Sequence, residues 1–179
     1  MKLKPREIIM SWDFLASLII AGFSYFLFRP EIKSDFAKDM YGIGISVLAI
    51  VFSVYFAALA IIISSGDNEF VEFLETRGYY SIIIGAFQFS LAVLFIALIY
   101  SVVAYTITAY NSSNQISSQP IVWFCLFMFL FPYGLFATAN SSLDAIKYAE
   151  YRVKFLLSRK KGLTKDKESN EPGNKRFKG

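Results

Sequence analysis

The stretch "SVLAIVFSVYFAALAIIIS", residues 46–64, decides the fold, because nineteen consecutive residues carry no charge. At about 1.5 Å of rise per residue, a helix of this length approaches the roughly 30 Å hydrocarbon core of a bilayer. Small side chains recur at every third or fourth position and so share one face of that helix. They are Ser46, Ala49, Ser53, Ala57, Ala60 and Ser64.

The composition of the whole chain points the same way. Of the 179 residues, 55% are apolar and only 18% are charged, where a soluble domain carries about 25% charged residues. The apolar residues form long blocks instead of the three-four spacing of a soluble amphipathic helix. We therefore expect an all-α integral membrane protein with four transmembrane helices, of which the fourth extends into the cytoplasm. The expected spans are residues 8–28, 41–64, 81–110 and 121–140.

Charge and composition divide the chain into three parts. Residues 1–7 form a basic N-terminus, residues 8–158 the transmembrane domain with its helical extension, and residues 159–179 a basic tail predicted to be disordered. The first apolar run is long enough to span, and no small-x-small cleavage site follows it, so we expect a retained helix instead of a signal peptide. Residues 29–40 are expected to form a polar loop.

The segment "NEFVEFLETRGYY", residues 68–80, has apolar residues at three-four spacing. This spacing fits a short amphipathic helix at the membrane surface. It fits an extension of the third span equally well, and the sequence leaves both open.

The lysines and arginines predict the orientation. With four spans, fifteen of the eighteen lie on the side of both termini, and the other three lie in the first loop. By the positive-inside rule, both termini are expected in the cytoplasm of a bacterial cell, with the chain in the inner membrane.

The residue inventory argues against an enzyme. There is no histidine and only one cysteine, so histidine-based catalysis and an intrachain disulfide are excluded. We find no phosphate-binding loop and no nucleophile with a plausible base, and we expect no catalytic residue, cofactor or metal site. Anionic lipid accounts for the basic tail more simply than nucleic acid does, so membrane lipid is an expected partner and nucleic acid is not.

Polar residues inside the spans are the candidate functional residues. Gln88 is placed most deeply and shares a helix face with Gly85 and Ala92, a face that either packs against another helix or lines a pore. Asp13 is read either as part of a proton pathway or as an interfacial carboxylate. Asn140 and Asp144 fit capping, packing or interfacial solvation. Pro132 and Gly134 lie within the fourth span, where proline removes a helix hydrogen bond, and they predict a kink or hinge.

The small-residue face of the second span has the same two interpretations. Small residues let membrane helices approach closely, whereas a conducting wall needs more polar groups than this face offers. Packing against a helix of this chain or of another copy is therefore favoured over a pore lining.

The fourth helix is expected to project beyond the bilayer with apolar residues that need covering. Its basic side chains are the candidate contacts to a cytosolic partner or to lipid: Lys147, Arg152, Lys154, Arg159, Lys160 and Lys161.

Residues 45–84, "ISVLAIVFSVYFAALAIIISSGDNEFVEFLETRGYYSIII", combine an apolar span, a serine-rich stop, a short amphipathic element and a Gly-Tyr corner before a long span. This pattern resembles small bacterial four-helix inner-membrane proteins of anti-phage defence systems, such as the membrane subunit of Kiwa. The resemblance implies a self-associating inner-membrane protein that works with a cytosolic partner or perturbs the membrane.

The expected function is therefore that of a non-enzymatic, self-associating membrane sensor or scaffold for a cytosolic partner. The alternative is a homo-oligomeric channel or pore-forming effector. A small transporter is the third alternative, although the sequence shows no internal repeat of the kind that transporters have.

Overall fold

The computed structural model describes residues 12–28, 31–64, 68–76, 78–114, 116 and 118–169, with side chains through Lys160. This part of the chain forms helices joined by short connections, together with one pair of three-residue strands. In chain order the elements are α1 (Trp12–Leu27), β1 (Glu31–Lys33), α2 (Ser34–Ser64), α3 (Asn68–Glu75), α4 (Tyr79–Ser113), β2 (Ser118–Pro120) and α5 (Ile121–Ser169).

The expectation of an all-α protein is confirmed. Within the described residues, α2, α4 and α5 are long and apolar enough to cross a membrane, which is the pattern of a membrane protein. The described part of α1 has 16 residues, fewer than the roughly 20 that a spanning helix needs. Residues 8–11 of the expected first span, and the basic N-terminus before them, lie outside the described residues.

The expected polar loop at residues 29–40 is wrong over most of its length, because α2 already begins at Ser34. Before it, β1 pairs antiparallel with β2, and Ile32 lies opposite Gln119. The Ser34 hydroxyl donates a hydrogen bond of 3.0 Å to the Ile116 carbonyl. Asp35 in the first turn of α2 favours a helix start there, because a negative charge interacts well with the helix N-terminus.

Of the two interpretations of residues 68–80, the structure has the separate short helix, α3. Gly78 ends the connection to α4 with a φ of 68°, a left-handed conformation that glycine adopts without strain. The apolar face of α3 is buried by protein: Phe70 lies edge-on to Tyr148 of α5, with ring centroids 5.4 Å apart. Leu74 is also buried.

Helix α5 is the longest element, at 49 residues, and Pro132 lies inside it. Its backbone is helical through Ser169, so it reaches into the segment 159–179 that composition predicts as a disordered tail. Residues 170–179 lie outside the described part.

The long helices form a layered bundle, in which α4 packs against both α2 and α5, and α1 packs against α5. A close approach joins α2 to α5 at Gly44. A Cβ built there would lie 2.6 Å from two ring carbons of Phe127. The Phe127 ring is buried and contacts Tyr41 and Phe131, with centroids 4.9 Å and 5.5 Å away.

Candidate functional site

The small-residue face of α2 points away from the bundle. Ser46, Ser53, Ala57 and Ala60 are exposed and Ala49 is half-buried. The buried face of the same helix lies on the other side, since 3.6 residues per turn place the two sets roughly opposite each other. That buried face includes Tyr41, Gly44, Leu48, Tyr55, Leu59 and Ile62. The stripe therefore packs against none of the described helices of its own chain.

The hydroxyl groups of this stripe are already satisfied within α2. Ser53 donates to the Ala49 carbonyl at 2.9 Å, and Ser46 donates to the Gly42 carbonyl at 3.0 Å. Such bonds from serine to the preceding turn leave the stripe without a polar group that needs water. The stripe is consequently a smooth, low-relief surface that permits close approach of another helix.

Gln88 also faces outward. It is exposed on α4, and around the helix axis it points more than a quarter turn away from the buried positions Phe87, Ser90 and Leu94. Within the described residues, its amide makes no hydrogen bond. Ala92 is exposed one turn further on, and Gly85 is half-buried, with no atom within 4 Å of the place that a Cβ would occupy. An amide in hydrocarbon costs several kcal/mol unless it finds a partner.

Pro132 and Gly134, the expected hinge residues, both lie in the packed interior of the bundle. A Cβ at Gly134 would lie 3.3 Å from a methyl group of Leu94 and 3.8 Å from Ala97 on α4. Gly134 thus serves close packing between α4 and α5, and the helix continues through both residues.

The basic residues of α5 lie on a charged segment that follows its apolar part. Lys147 forms a 2.8 Å ion pair with Asp144, and the hydrogen bond to this carboxylate raises the pKa of Lys147. Arg159 lies 3.2 Å from the Glu69 carboxylate of α3. The Lys154 ammonium lies 5.9 Å from the centre of the Tyr151 ring. Arg152 and Lys160 are exposed, and the side chain of Lys161 lies outside the described part.

Asp13 and Asn140, which the sequence pattern did not connect, are brought together. The Asn140 amide donates a hydrogen bond of 2.6 Å to Asp13 Oδ2, which joins α1 to α5. This contact gives the Asn140 amide and the Asp13 carboxylate a hydrogen-bond partner in each other, in keeping with the packing interpretation of Asn140.

Two interior polar clusters were not predicted from the sequence. In the first, Thr108 donates to Gln119 Oε1 at 2.7 Å, and Gln119 Nε2 donates to the Tyr41 hydroxyl at 3.0 Å. In the second, the Ser90 and Ser141 hydroxyls lie 2.5 Å apart between α4 and α5. Their only sequence signal was a polar residue in or beside an apolar run, which does not name the partner.

The hydrogen bonds of these two clusters join neighbouring elements, so their role is to hold the fold together. Among the residues that the structure describes, no three histidine, cysteine, aspartate or glutamate side chains come together as a metal site would require.

An open cleft of about 580 Å³ lies beside the strand pair, lined by residues that include Glu31, Lys33, Asp35 and Ser112. The Asp35 carboxylate in this cleft accepts a 2.9 Å hydrogen bond from Ser112.

Comparison with known proteins adds no relative. No protein-family model, curated protein or solved structure matches this chain. The surface features of the described residues that bear on function are the outward stripe of α2, the outward amide of Gln88 and the charged segment of α5.

Proposed function

We propose that this chain is a non-enzymatic inner-membrane protein that self-associates through α2 and α4 and acts as a sensor or scaffold for a cytosolic partner. In this proposal α1 completes a four-span topology with both termini in the cytoplasm. The observation that carries the proposal is the outward amide of Gln88, which makes no hydrogen bond within the described part of its own chain.

The physical argument starts from the lipid. A lipid tail offers no hydrogen bond, so an outward glutamine in a span is stabilised when a second protein surface supplies one. Close contact between two helices also requires small side chains, and the stripe around Ser53 and Ala57 supplies them. Two copies in the same membrane have the same orientation, so each presents both the Gln88 amide and the small-residue stripe to the other.

The test is the stoichiometry of the full chain in nanodiscs, measured by native mass spectrometry. Ser53→Leu with Ala57→Leu adds bulk to the stripe and is expected to reduce the oligomer to smaller species. Val54→Leu is the matched control, because Val54 is exposed on the same helix but lies off the stripe. Gln88→Leu is expected to weaken the oligomer without removing the fold. A monomeric wild-type chain, or an oligomer indifferent to the stripe, contradicts the proposal.

A channel or pore-forming effector is the second candidate. Aromatic side chains fill the interior of the described bundle, for example Tyr55 stacked on Phe87 with centroids 4.8 Å apart. A conducting path would therefore run between copies, where the Gln88 amide could face water. Dye and ion release from liposomes that contain the purified oligomer separates the two candidates, because a scaffold gives no release.

The resemblance of residues 45–84 to membrane proteins of anti-phage defence systems extends the proposal to a biological role. Plaque formation by a panel of phages, on cells with and without the chain and its neighbouring genes, tests that role. Protection that is lost in the Ser53→Leu, Ala57→Leu variant and kept in Val54→Leu would link it to self-association.

A further inference from the structure

A small pocket lies where α4 passes the junction of β2 and α5. Its volume is about 40 Å³, and its lining includes Ala104, Thr108 and Asn111 of α4 and Gln119 and Pro120 at the junction. A water molecule takes up about 30 Å³ in the liquid, so the pocket has room for one. Drug-sized ligands need roughly 300–1,000 Å³ and are excluded by size.

The walls of this pocket are polar, buried and uncharged. Thr108 is 2% exposed and Gln119 is 6% exposed, whereas Asn111 is half-buried. None of the lining side chains carries a charge. An ion in the pocket would therefore lack a counter-charge in a region of low dielectric, which is costly. A neutral polar molecule suits these walls better than an ion does.

The hydrogen bonds beside the pocket leave donors over. Thr108, Gln119 and Tyr41 together carry four polar hydrogens, one on each hydroxyl and two on the amide. Their network uses two of the four, from Thr108 to Gln119 Oε1 and from Gln119 Nε2 to the Tyr41 hydroxyl. Exchanging the oxygen and nitrogen of the amide leaves the same count. Within the described residues, two donors of this buried network thus need acceptors, and one of them is the second N–H of Gln119.

Asn111 adds a further polar group to the pocket. Its backbone carbonyl accepts hydrogen bonds from the N–H groups of Asn114 and Ile116. Its side-chain amide makes no hydrogen bond within the described part of the chain. Together with Gln119 Nε2 and Thr108 Oγ1, this amide gives the pocket three polar partners. A buried water molecule makes two to four hydrogen bonds, so this number is sufficient to hold one.

From the size of the pocket and its unused hydrogen-bonding groups, we propose that it binds one ordered water molecule. The water accepts the second N–H of Gln119 and donates to the side chains of Thr108 and Asn111. It bridges α4 to the junction of β2 and α5, next to Ile121, the residue at which α5 begins. The bridge lies within one copy of the chain, so the inference is independent of self-association and of any partner.

Filling the pocket with a polar or an apolar group tests for the water. Ala104 is 2% exposed and lines the pocket. Ala104→Ser replaces the water with a hydroxyl that can accept the same N–H. Ala104→Val displaces the water and supplies no acceptor, which is unfavourable for a well-ordered water. In the full chain in nanodiscs, Ala104→Ser is therefore expected to melt at least about 2 °C higher than Ala104→Val.

The same two substitutions at Ala109 are the matched control, because Ala109 is half-buried on α4 and does not line the pocket. The difference between Ala109→Ser and Ala109→Val measures what the two side chains do to the helix itself. After subtraction of this difference, a higher melting temperature for Ala104→Val than for Ala104→Ser overturns the inference. That order is expected when an apolar group fills a pocket that holds no water.

Solid-state NMR observes the water directly, in the full chain labelled with ¹⁵N-glutamine in lipid bilayers. The chain has three glutamines, and the variants Gln88→Leu and Gln115→Glu identify their side-chain signals. A cross-peak from water to the side-chain amide of Gln119 is expected in the wild type and in Ala109→Val. It is expected to lose most of its intensity in Ala104→Val. Absence of this cross-peak from the wild type overturns the inference, whatever the stability of the variants.

Replacing chloride by gluconate distinguishes the water from a small anion, which the first N–H groups of a helix can also bind. The melting temperature of the wild type is expected to stay the same. A fall in gluconate that Ala104→Val abolishes would assign the pocket to the anion and overturn the inference.

Discussion

The Asn140 amide and the Asp13 carboxylate lie 2.6 Å apart, although 127 positions separate them in the chain. A hydrogen bond to a charged acceptor is about twice as strong as one between neutral groups. Here it holds α1 against α5, next to the contact of the Phe14 ring with Phe129, whose centroids are 5.3 Å apart. The pair thus adds a polar contact to the aromatic packing between these two helices.

Removing this amide is expected to loosen α1. Asn140→Ala leaves the Asp13 carboxylate without its donor, and we expect the free energy of unfolding to fall by about 1–2 kcal/mol. Thermal unfolding of the detergent-solubilised chain measures this change. Ser142→Ala is the control, because the Ser142 hydroxyl donates only to the Thr138 carbonyl of its own helix. A double variant with Asp13→Ala that costs the sum of the two single variants would mean that the pair is not coupled.

Adding a methyl group at Gly44 is expected to force α2 away from α5. Gly44→Ala would place its Cβ 2.6 Å from the buried Phe127 ring, which neighbouring rings hold in place. We expect a loss of about 1–3 kcal/mol, the usual cost of overpacking. Gly22→Ala makes the same chemical change where no atom lies within 4 Å. Similar melting temperatures for the two variants would contradict the close approach.

Two variants of the hydrogen-bond network of Thr108, Gln119 and Tyr41 are expected to lower stability by different amounts. Gln119→Leu removes both hydrogen bonds of a buried network and leaves the Thr108 and Tyr41 hydroxyls without their shared partner, so a loss of about 1–3 kcal/mol is expected. Tyr41→Phe removes only one hydrogen bond and should cost less. Denaturation curves in the same detergent compare them, and a greater loss in Tyr41→Phe would argue against Gln119 as the centre of the network.

The docking of α3 on α5 is expected to depend on its aromatic contact more than on its ion pair. Phe70→Ala should expose the α3 amides to faster hydrogen exchange, because Phe70 is 1% exposed and packs on Tyr148 and Phe155. Glu69→Ala removes the exposed partner of Arg159, and such surface pairs contribute about 0–1 kcal/mol. Exchange mass spectrometry distinguishes the two, and faster exchange in Glu69→Ala than in Phe70→Ala would reverse this order.

The sequence predicted the long helices well because hydropathy depends on composition along the chain. Residues 46–64 carry no charge, and the helix that contains them ends at Ser64. Hydropathy does not predict which face of each helix points toward the bundle. Nearly every position of α2 and α4 is apolar or small, so periodicity alone does not tell whether Ser53 or Tyr55 faces the bundle.

Contacts between distant segments could not be predicted for a related reason. Ile32 pairs with Gln119 across 87 positions, and each strand has only three residues, too few for the alternation over four to eight residues that marks a strand in a sequence. The partner of Gln119 depends on where α2 and α4 meet. By contrast, Gly78 gave a local signal for the end of the α3 connection, and the apolar spacing of residues 68–80 already indicated a helix.

Helix α5 begins directly after the strand pair, and from Ile121 to Lys160 it continues for 40 residues. A rod of that length measures about 60 Å. Tilting it by roughly 5° about the end at Ile121 would carry the Lys160 end sideways by about 5 Å. A small rearrangement at the Ile121 end of α5 is thereby magnified at its Lys160 end.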